Sequence, residues 1–468
     1  MAAIPQQGQS GLERQIGPWQ ATAINMTQMC GVGPLLTIPF MVADVGGPQA
    51  VFGWIIGAII ALADGLIWAE LGASLPGAGG TYIYLREAFQ YRTGRLMPFL
   101  FVWTAILYIP LTMATGVIGL VQYLGALWPA VVAGDGTVNT FGHVVGIVIT
   151  GFVVVLLYRK VGDTTRITTV FFGVMLVSIL AVIVAAYSHF NGAMAFDYAP
   201  GTFAAGGPFF TGLGAGLVLA VYDYLGYNTS SYLGAEVRQP GRTLPRSIVL
   251  SIVGIMCLYL LLQVGILGVL PWQDVAKSSS IATLAVSTAW GSTAADIVTV
   301  LIVVTAFASV FAGLLAGSRV PYEAARDKLF LPQFARLHPR GHFPTVGLLV
   351  MGVITAVGSL LPLTVVINAL TTAIVLVQAL AQAAALIVLR RRQPTLPRPY
   401  KMWLFPLPLI VAVAGWVFVY LSTDTVSIVL SVVWVIVGAV AFLIYARAER
   451  VWPFGPKEIR EEYLSPAP

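Results

Sequence analysis

Two short stretches carry residue types able to bind a small charged molecule inside an otherwise apolar chain. The first reads Gln28-Met29-Cys30-Gly31-Val32-Gly33-Pro34. Gly-x-Gly-Pro is costly in a helix, because glycine favours other conformations and proline removes a donor and clashes with the preceding turn. In lipid the freed N–H and C=O groups must find partners. They serve either a kink packed against neighbours or a discontinuous helix that binds substrate. The second stretch is Tyr222-Asp223-Tyr224-Leu225-Gly226-Tyr227-Asn228-Thr229-Ser230-Ser231, a polar run with its own glycine. Asp223 lies in that break and Asp64 in another apolar stretch. An ionisable residue at mid-membrane costs at least about 2.5 kcal/mol and is a functional candidate by default. Asp223 suits a cationic substrate group, a carried proton, or capping of broken-helix N–H groups. Asp64 suits coupling, or a buried hydrogen bond between helices.

Covalent and metal chemistry find little here. No intramembrane His pair, Ser-Lys dyad or metal-spaced acidic cluster occurs. Cys30 and Cys257 both sit in apolar stretches, so neither a disulfide framework, a thiolate metal site nor a disulfide-linked partner subunit is expected. His338 and His342 have i, i+4 spacing, but no Glu or Cys completes a ligand set. No metal or other cofactor is therefore expected, and the chain is not expected to be an enzyme. A channel would need a filter-like backbone loop or a ring of charges, and neither is evident.

The elements that must position the two stretches follow from composition. Hydrophobic residues make up 58% and charged residues 9%, against about 25% charged in soluble domains. Too few charges remain to clothe a water-facing surface, and disorder needs the opposite balance. A spanning helix takes about 20 mostly apolar residues. Twelve segments qualify: 18–44, 48–74, 96–127, 142–158, 166–188, 208–234, 246–270, 294–318, 344–361, 363–389, 402–422 and 425–446. Their continuous apolar runs favour helices over the alternating strands of a barrel. The longest polar stretch is 319–343, and the connection 271–293 has room for an external helix.

Twelve spans leave both termini on one side, and the distribution of positive residues selects the cytoplasm. Every Lys and Arg except Lys277 falls in one alternate set of connections, Arg159, Lys160, Arg166 and Arg340 among them, or at the termini, as do Arg450, Lys457 and Arg460. The net charge of +6 therefore reports orientation in a lipid bilayer, and no nucleic-acid partner is expected. No cleavable signal peptide is visible. Spans 1 and 6 would open two five-helix halves, and matched interruptions at corresponding places point to a transporter site. Five spans per half is odd, so the halves are inverted. The expected organisation is an N-terminal segment 1–17, a first repeat 18–188, an external loop and second repeat 189–391, two further helices in 392–446 and a tail 447–468.

Four motifs give the chain a family resemblance. Ala69-Glu70-Leu71 followed by Pro76, Gly79-Gly80 and Tyr82 is similar to A-E-L-x-x-x-x-P-x-x-G-G-x-Y. Glu236, Pro240, Arg242 and Leu244-Pro245-Arg246 follow a second pattern, from which Ala235 and Gln239 depart. Ser318-Arg319, Tyr322 and Ala325-Arg326-Asp327 follow a third, and Arg398-Pro399-Tyr400-Lys401 a fourth. Together they resemble the amino acid–polyamine–organocation transporters over nearly the whole length. The resemblance implies an all-α LeuT-type fold of twelve transmembrane helices, with a 5+5 inverted repeat, two extra helices and broken helices 1 and 6.

It further implies an amino acid permease of the cytoplasmic membrane, coupled to H+ or Na+ or working by exchange. A substrate carboxylate would meet backbone N–H groups at Gly31, Val32 and Gly33, beside Cys30. Its ammonium would meet carbonyls near Gln28, Tyr224, Leu225 and Gly226. Tyr222 would gate the site, with Tyr224 and Tyr227 as register alternatives. Many relatives carry a lysine in span 5; Met175 stands there, so a lysine-borne proton is not expected. Ser309 matches a hydroxyl near the ion site of relatives. Glu70, Glu236 and Arg319 would order a cytoplasmic gate. The run through Asn228 also looks like polyamine-uptake relatives, which makes a polyamine or organic-cation carrier of the same fold the alternative.

Overall fold

A computed structural model describes residues 14–77, 79–158, 164–338, 343–449 and 453–454. Most of the expected segments 1–17 and 447–468 lie outside that range. So do Arg159, Lys160, Arg340, His342, Arg450, Lys457 and Arg460. The described chain is helical, with only isolated bridges such as Ile16 to Val237 outside the helices.

The helices run α1 Pro18–Met29, α2 Gly33–Val45, α3 Val51–Ser74, α4 Thr81–Thr93, α5 Leu96–Leu127, α6 Thr140–Tyr158, α7 Thr164–Ser188 and α8 Pro208–Tyr224. They continue as α9 Pro240–Leu267, α10 Ile281–Trp290, α11 Ser292–Gly317, α12 Arg319–Arg326, α13 Thr345–Gly358 and α14 Leu363–Ile374. A π-helical stretch, Val375–Leu380, leads into α15 Ala381–Arg392, and α16 Leu407–Ser422 and α17 Thr425–Ala448 close the chain. Among the described residues eight helices are long and apolar enough to cross a bilayer, or nine if the bent pair α1–α2 counts as one.

The outer surface explains why this fold needs lipid. Val148, Phe152, Ile297, Val353, Leu430 and Ile444 all present more than half of their surface outward. Such a continuous apolar exterior would be a liability in water. Inside, α5 is the central pillar, packed on α11, α13 and α14, while α3 lies along α9, α2 along α8 and α1 along α9. The last helix is clamped to the pillar by Trp103 and Trp434, whose rings stack at 5.0 Å and whose indole N–H groups donate to each other's carbonyls.

Two elements depart from the sequence reading. Residues 81–93, read as part of a connection, form α4, whose Arg86, Glu87 and Arg92 kept it from scoring as an apolar run. The segment 402–422 becomes helical only at Leu407.

Candidate functional site

The two interruptions lie against each other. α1 stops at Met29, α2 starts at Gly33, and their axes meet at 50°. α8 stops at Tyr224, and the chain then runs non-helically to a single helical turn, Thr229–Tyr232. Gly226 has φ +119, a conformation that favours glycine, and a Cβ there would stand 3.0 Å from the carbonyl carbon of Gln28. The Asn25 side chain accepts the Ser230 N–H at 2.8 Å. Tyr259 of α9 lies between the two half-helix ends. Its hydroxyl is 2.9 Å from the Met29 carbonyl and 3.0 Å from the Asp223 carbonyl, one proton serving two acceptors.

A helix N-terminus offers free N–H groups and a positive dipole end. At α2 the amides of Gly31, Val32 and Gly33 make no hydrogen bond among the described residues, and Pro34 has no N–H to give. Glycine at 33 is demanded by space: a Cβ would collide with Oδ1 of Asp223. That carboxylate is 2% exposed. Its Oδ2 accepts the Thr37 hydroxyl, while Oδ1 has no hydrogen-bond partner. No amide of α2 caps it.

The three tyrosines of the second stretch have separate surroundings. Tyr222 lies beside Gly33, and its hydroxyl is 2.6 Å from Thr115 Oγ1 on α5. Tyr224 points into the α3–α9 core and donates to the Trp54 carbonyl at 3.0 Å. Tyr227 donates to Asp64 Oδ2 at 2.5 Å, which makes Asp64 a helix-to-helix contact between α3 and the second break. Leu225 and Gly226 are half-buried backbone positions at the turn. Cys30 is fully buried beside Tyr259. Ser309 of α11 faces Gly31, its Oγ 3.0 Å from where a Cβ would stand. Met175 is buried on α7, where Ser178 reaches Thr305 of α11 at 3.2 Å.

Sequence reasoning missed Tyr259, Thr37 and Thr115, because a lone hydroxyl in an apolar run carries no signal until its neighbours are known.

The four motifs meet in a second layer. Glu70, 1% exposed, takes a two-pronged contact from Arg390, with Nε–Oε1 at 2.8 Å. Arg398 stands 3.8 Å away, and the Met402 N–H donates to Glu70 at 2.7 Å. Gly79 N–H donates to the Tyr232 carbonyl at 3.2 Å. Tyr82 donates to Asp327 at 2.7 Å, and burial together with that carboxylate holds its hydroxyl protonated far above the usual tyrosine range. A Cβ on Gly241 would meet Pro399. Glu236 accepts the N–H groups of Gln15 and Ile16 through its carbonyl, and Arg319 opens α12 within range of Glu323. Among the described residues, neither joins the Glu70 cluster.

An all-helical apolar bundle with two opposed backbone breaks is an integral membrane protein built to handle a small molecule. The family described as amino acid permease matches residues 16–453, and the chain belongs to it. It is similar to the branched-chain amino acid permease BcaP of Bacillus subtilis (strain 168), 26% identical over 457 residues and 94% of each chain. The serine/threonine exchanger SteT of the same organism is 26% identical over 433 residues, 90% of this chain and 94% of that one. Cationic amino acid transporter 4 of Mus musculus is 25% identical over 369 residues, 75% of this chain and 56% of that one. The protein is an amino acid transporter, a reading these relatives favour over the polyamine one.

Proposed function

We propose that the chain is a secondary active transporter of LeuT-type architecture that carries neutral amino acids by alternating access. Its twelve spans form inverted repeats over 18–188 and 189–391, followed by two helices in 392–446, with both termini cytoplasmic in the plasma membrane. The shorter apolar helices α13 and α16, of 14 and 16 residues, and the 17-residue α8 that runs into the second break bring the nine longer spans to twelve, while the ten-residue α10 is too short to span, which supports this count. The breaks then fall in the first and sixth spans.

The substrate carboxylate binds the amides of Gly31, Val32 and Gly33, and its ammonium binds carbonyls at the ends of α1 and α8, from Gln28 and from Tyr222 to Leu225. Tyr222 covers the ligand, and Ser309 lines the wall behind Gly31. The Glu70 cluster ties α3 to α15 at the cytoplasmic end and holds that path closed. The single observation behind the site is the row of unbonded amides at the start of α2, facing the end of α8. Neutral side chains are favoured because BcaP and SteT, both matched nearly end to end, are named for neutral amino acids.

Ligand binding raises apparent stability by mass action. A thermal-shift panel on purified protein should therefore show stabilisation by one or more neutral amino acids. Stabilisation by putrescine or spermidine, and by no amino acid, rejects the proposal.

A further inference from the structure

The Asp223 carboxylate lies on the anion-binding side of the site. Oδ1 is directed at Gly33, the first residue of α2, where the proposed substrate carboxylate arrives. The ammonium end belongs to the opposite pole, at the carbonyls proposed for it at the ends of α1 and α8. Two ionised carboxylates cannot share one buried position; one of them must hold a proton. A buried Oδ1 with no donor is itself costly as an anion.

Among the described residues no fixed cation is at hand to offset it: α1, α2, α5, α8 and α11 contain no Lys, Arg or His. The ionisable side chains that feel Asp223 are Cys30, Tyr222 and Tyr224, with Tyr259 from α9. α3 brings Asp64 and Glu70, engaged by Tyr227 and Arg390; α2 brings Asp44 at its far end; α16 brings Tyr420, and α14 brings none.

We infer that Asp223 is the proton site of this transporter, loaded on Oδ1 when an amino acid carboxylate occupies the start of α2. This rests on the substrate pose given under Proposed function. A proton from bulk water on one side bonds to Oδ1, and the resulting O–H donates to the substrate carboxylate. On the other side the substrate leaves and the proton returns to bulk water. No substrate bond is made or broken, and one positive charge crosses with each zwitterion.

The test uses full-length protein in proteoliposomes enclosing a pH-sensitive dye, with the amino acid that gives the largest thermal shift. The wild type should acidify the lumen as labelled amino acid enters, and an inward proton gradient should drive accumulation severalfold above equilibrium. Asp223→Asn, reconstituted in equal amount with a ligand-free melting transition retained, should lose both proton entry and gradient-driven accumulation. Amino acid entry without lumen acidification in the wild type overturns the inference, as does gradient-driven accumulation by Asp223→Asn. If that variant does not fold, Thr37→Val decides: losing the donor to Oδ2 should move the pH midpoint of coupled uptake upward, and an unmoved midpoint overturns the inference. Failure of the wild type to move any amino acid would instead reject the substrate reading.

Discussion

Replacing Gly33 by alanine tests the site through one methyl group. Gly33 is the first residue of a helix with no left-handed φ, so alanine suits its backbone and adds up to about 1 kcal/mol of helix stability. The steric result is the reverse. The new Cβ would overlap Oδ1 of Asp223, so the carboxylate must swing away and release the Thr37 hydroxyl. A hydrogen bond to a charged group contributes about 1.5–3 kcal/mol. The methyl also stands beside the amides proposed to hold the substrate carboxylate, whose bonds are of the same kind. Losing one such bond weakens binding by about 10- to 150-fold, since 1.4 kcal/mol is a factor of about ten. Equilibrium binding of labelled amino acid to purified protein reads the change, and the ligand-free melting temperature reports folding separately. Gly173→Ala is the control: its Cβ meets nothing within 4 Å, so affinity should stay at the wild-type value. Wild-type affinity in Gly33→Ala refutes the reasoning.

Other outcomes follow from the same geometry. Tyr259→Phe removes the hydroxyl shared by the Met29 and Asp223 carbonyls and should weaken substrate binding about 2- to 12-fold, the equivalent of about 0.5–1.5 kcal/mol; unchanged binding would show that the two half-helix ends do not depend on it. Glu70→Ala leaves Arg390 and Arg398 without their carboxylate and should cost about 3–5 kcal/mol. It should appear as a lower apparent melting temperature, partly recovered in the Glu70→Ala/Arg390→Ala double variant; no recovery would mean that the arginine is not the stranded charge. Tyr82→Phe removes the contact with Asp327 that joins α4 to the end of α12 and should destabilise by about 1.5–3 kcal/mol in the same assay.

What could be read beforehand was local. The Gly-x-Gly-Pro break shows in sequence because the helix penalty of Gly and Pro belongs to those residues alone. Asp223 and Asp64 show because a charge in an apolar run is conspicuous. The partners of these residues are tertiary facts. Tyr259 sits in an apolar helix 36 positions after Asp223, and Thr37 looks like any intramembrane threonine until α8 is folded against α2. The helix α4 escaped because the spanning-helix criterion sees only apolar runs, and Arg86, Glu87 and Arg92 interrupt this one. The motifs were visible as patterns, but their reason was not. Glu70 meets Arg390 and Arg398, Tyr82 meets Asp327, and Gly241 meets Pro399, so segments far apart in sequence, 320 residues for Glu70 and Arg390, close one layer of the bundle.

The central claim is that an amino acid crosses the membrane by binding at the start of α2. Counterflow in proteoliposomes tests it most directly, because exchange of labelled external for unlabelled internal amino acid needs no driving ion. The account predicts rapid counterflow by the wild type. It predicts none by Gly33→Leu, reconstituted in equal amount as protein that still melts cooperatively. Undiminished counterflow by Gly33→Leu, or none by the wild type with any amino acid that stabilises it, would contradict the account.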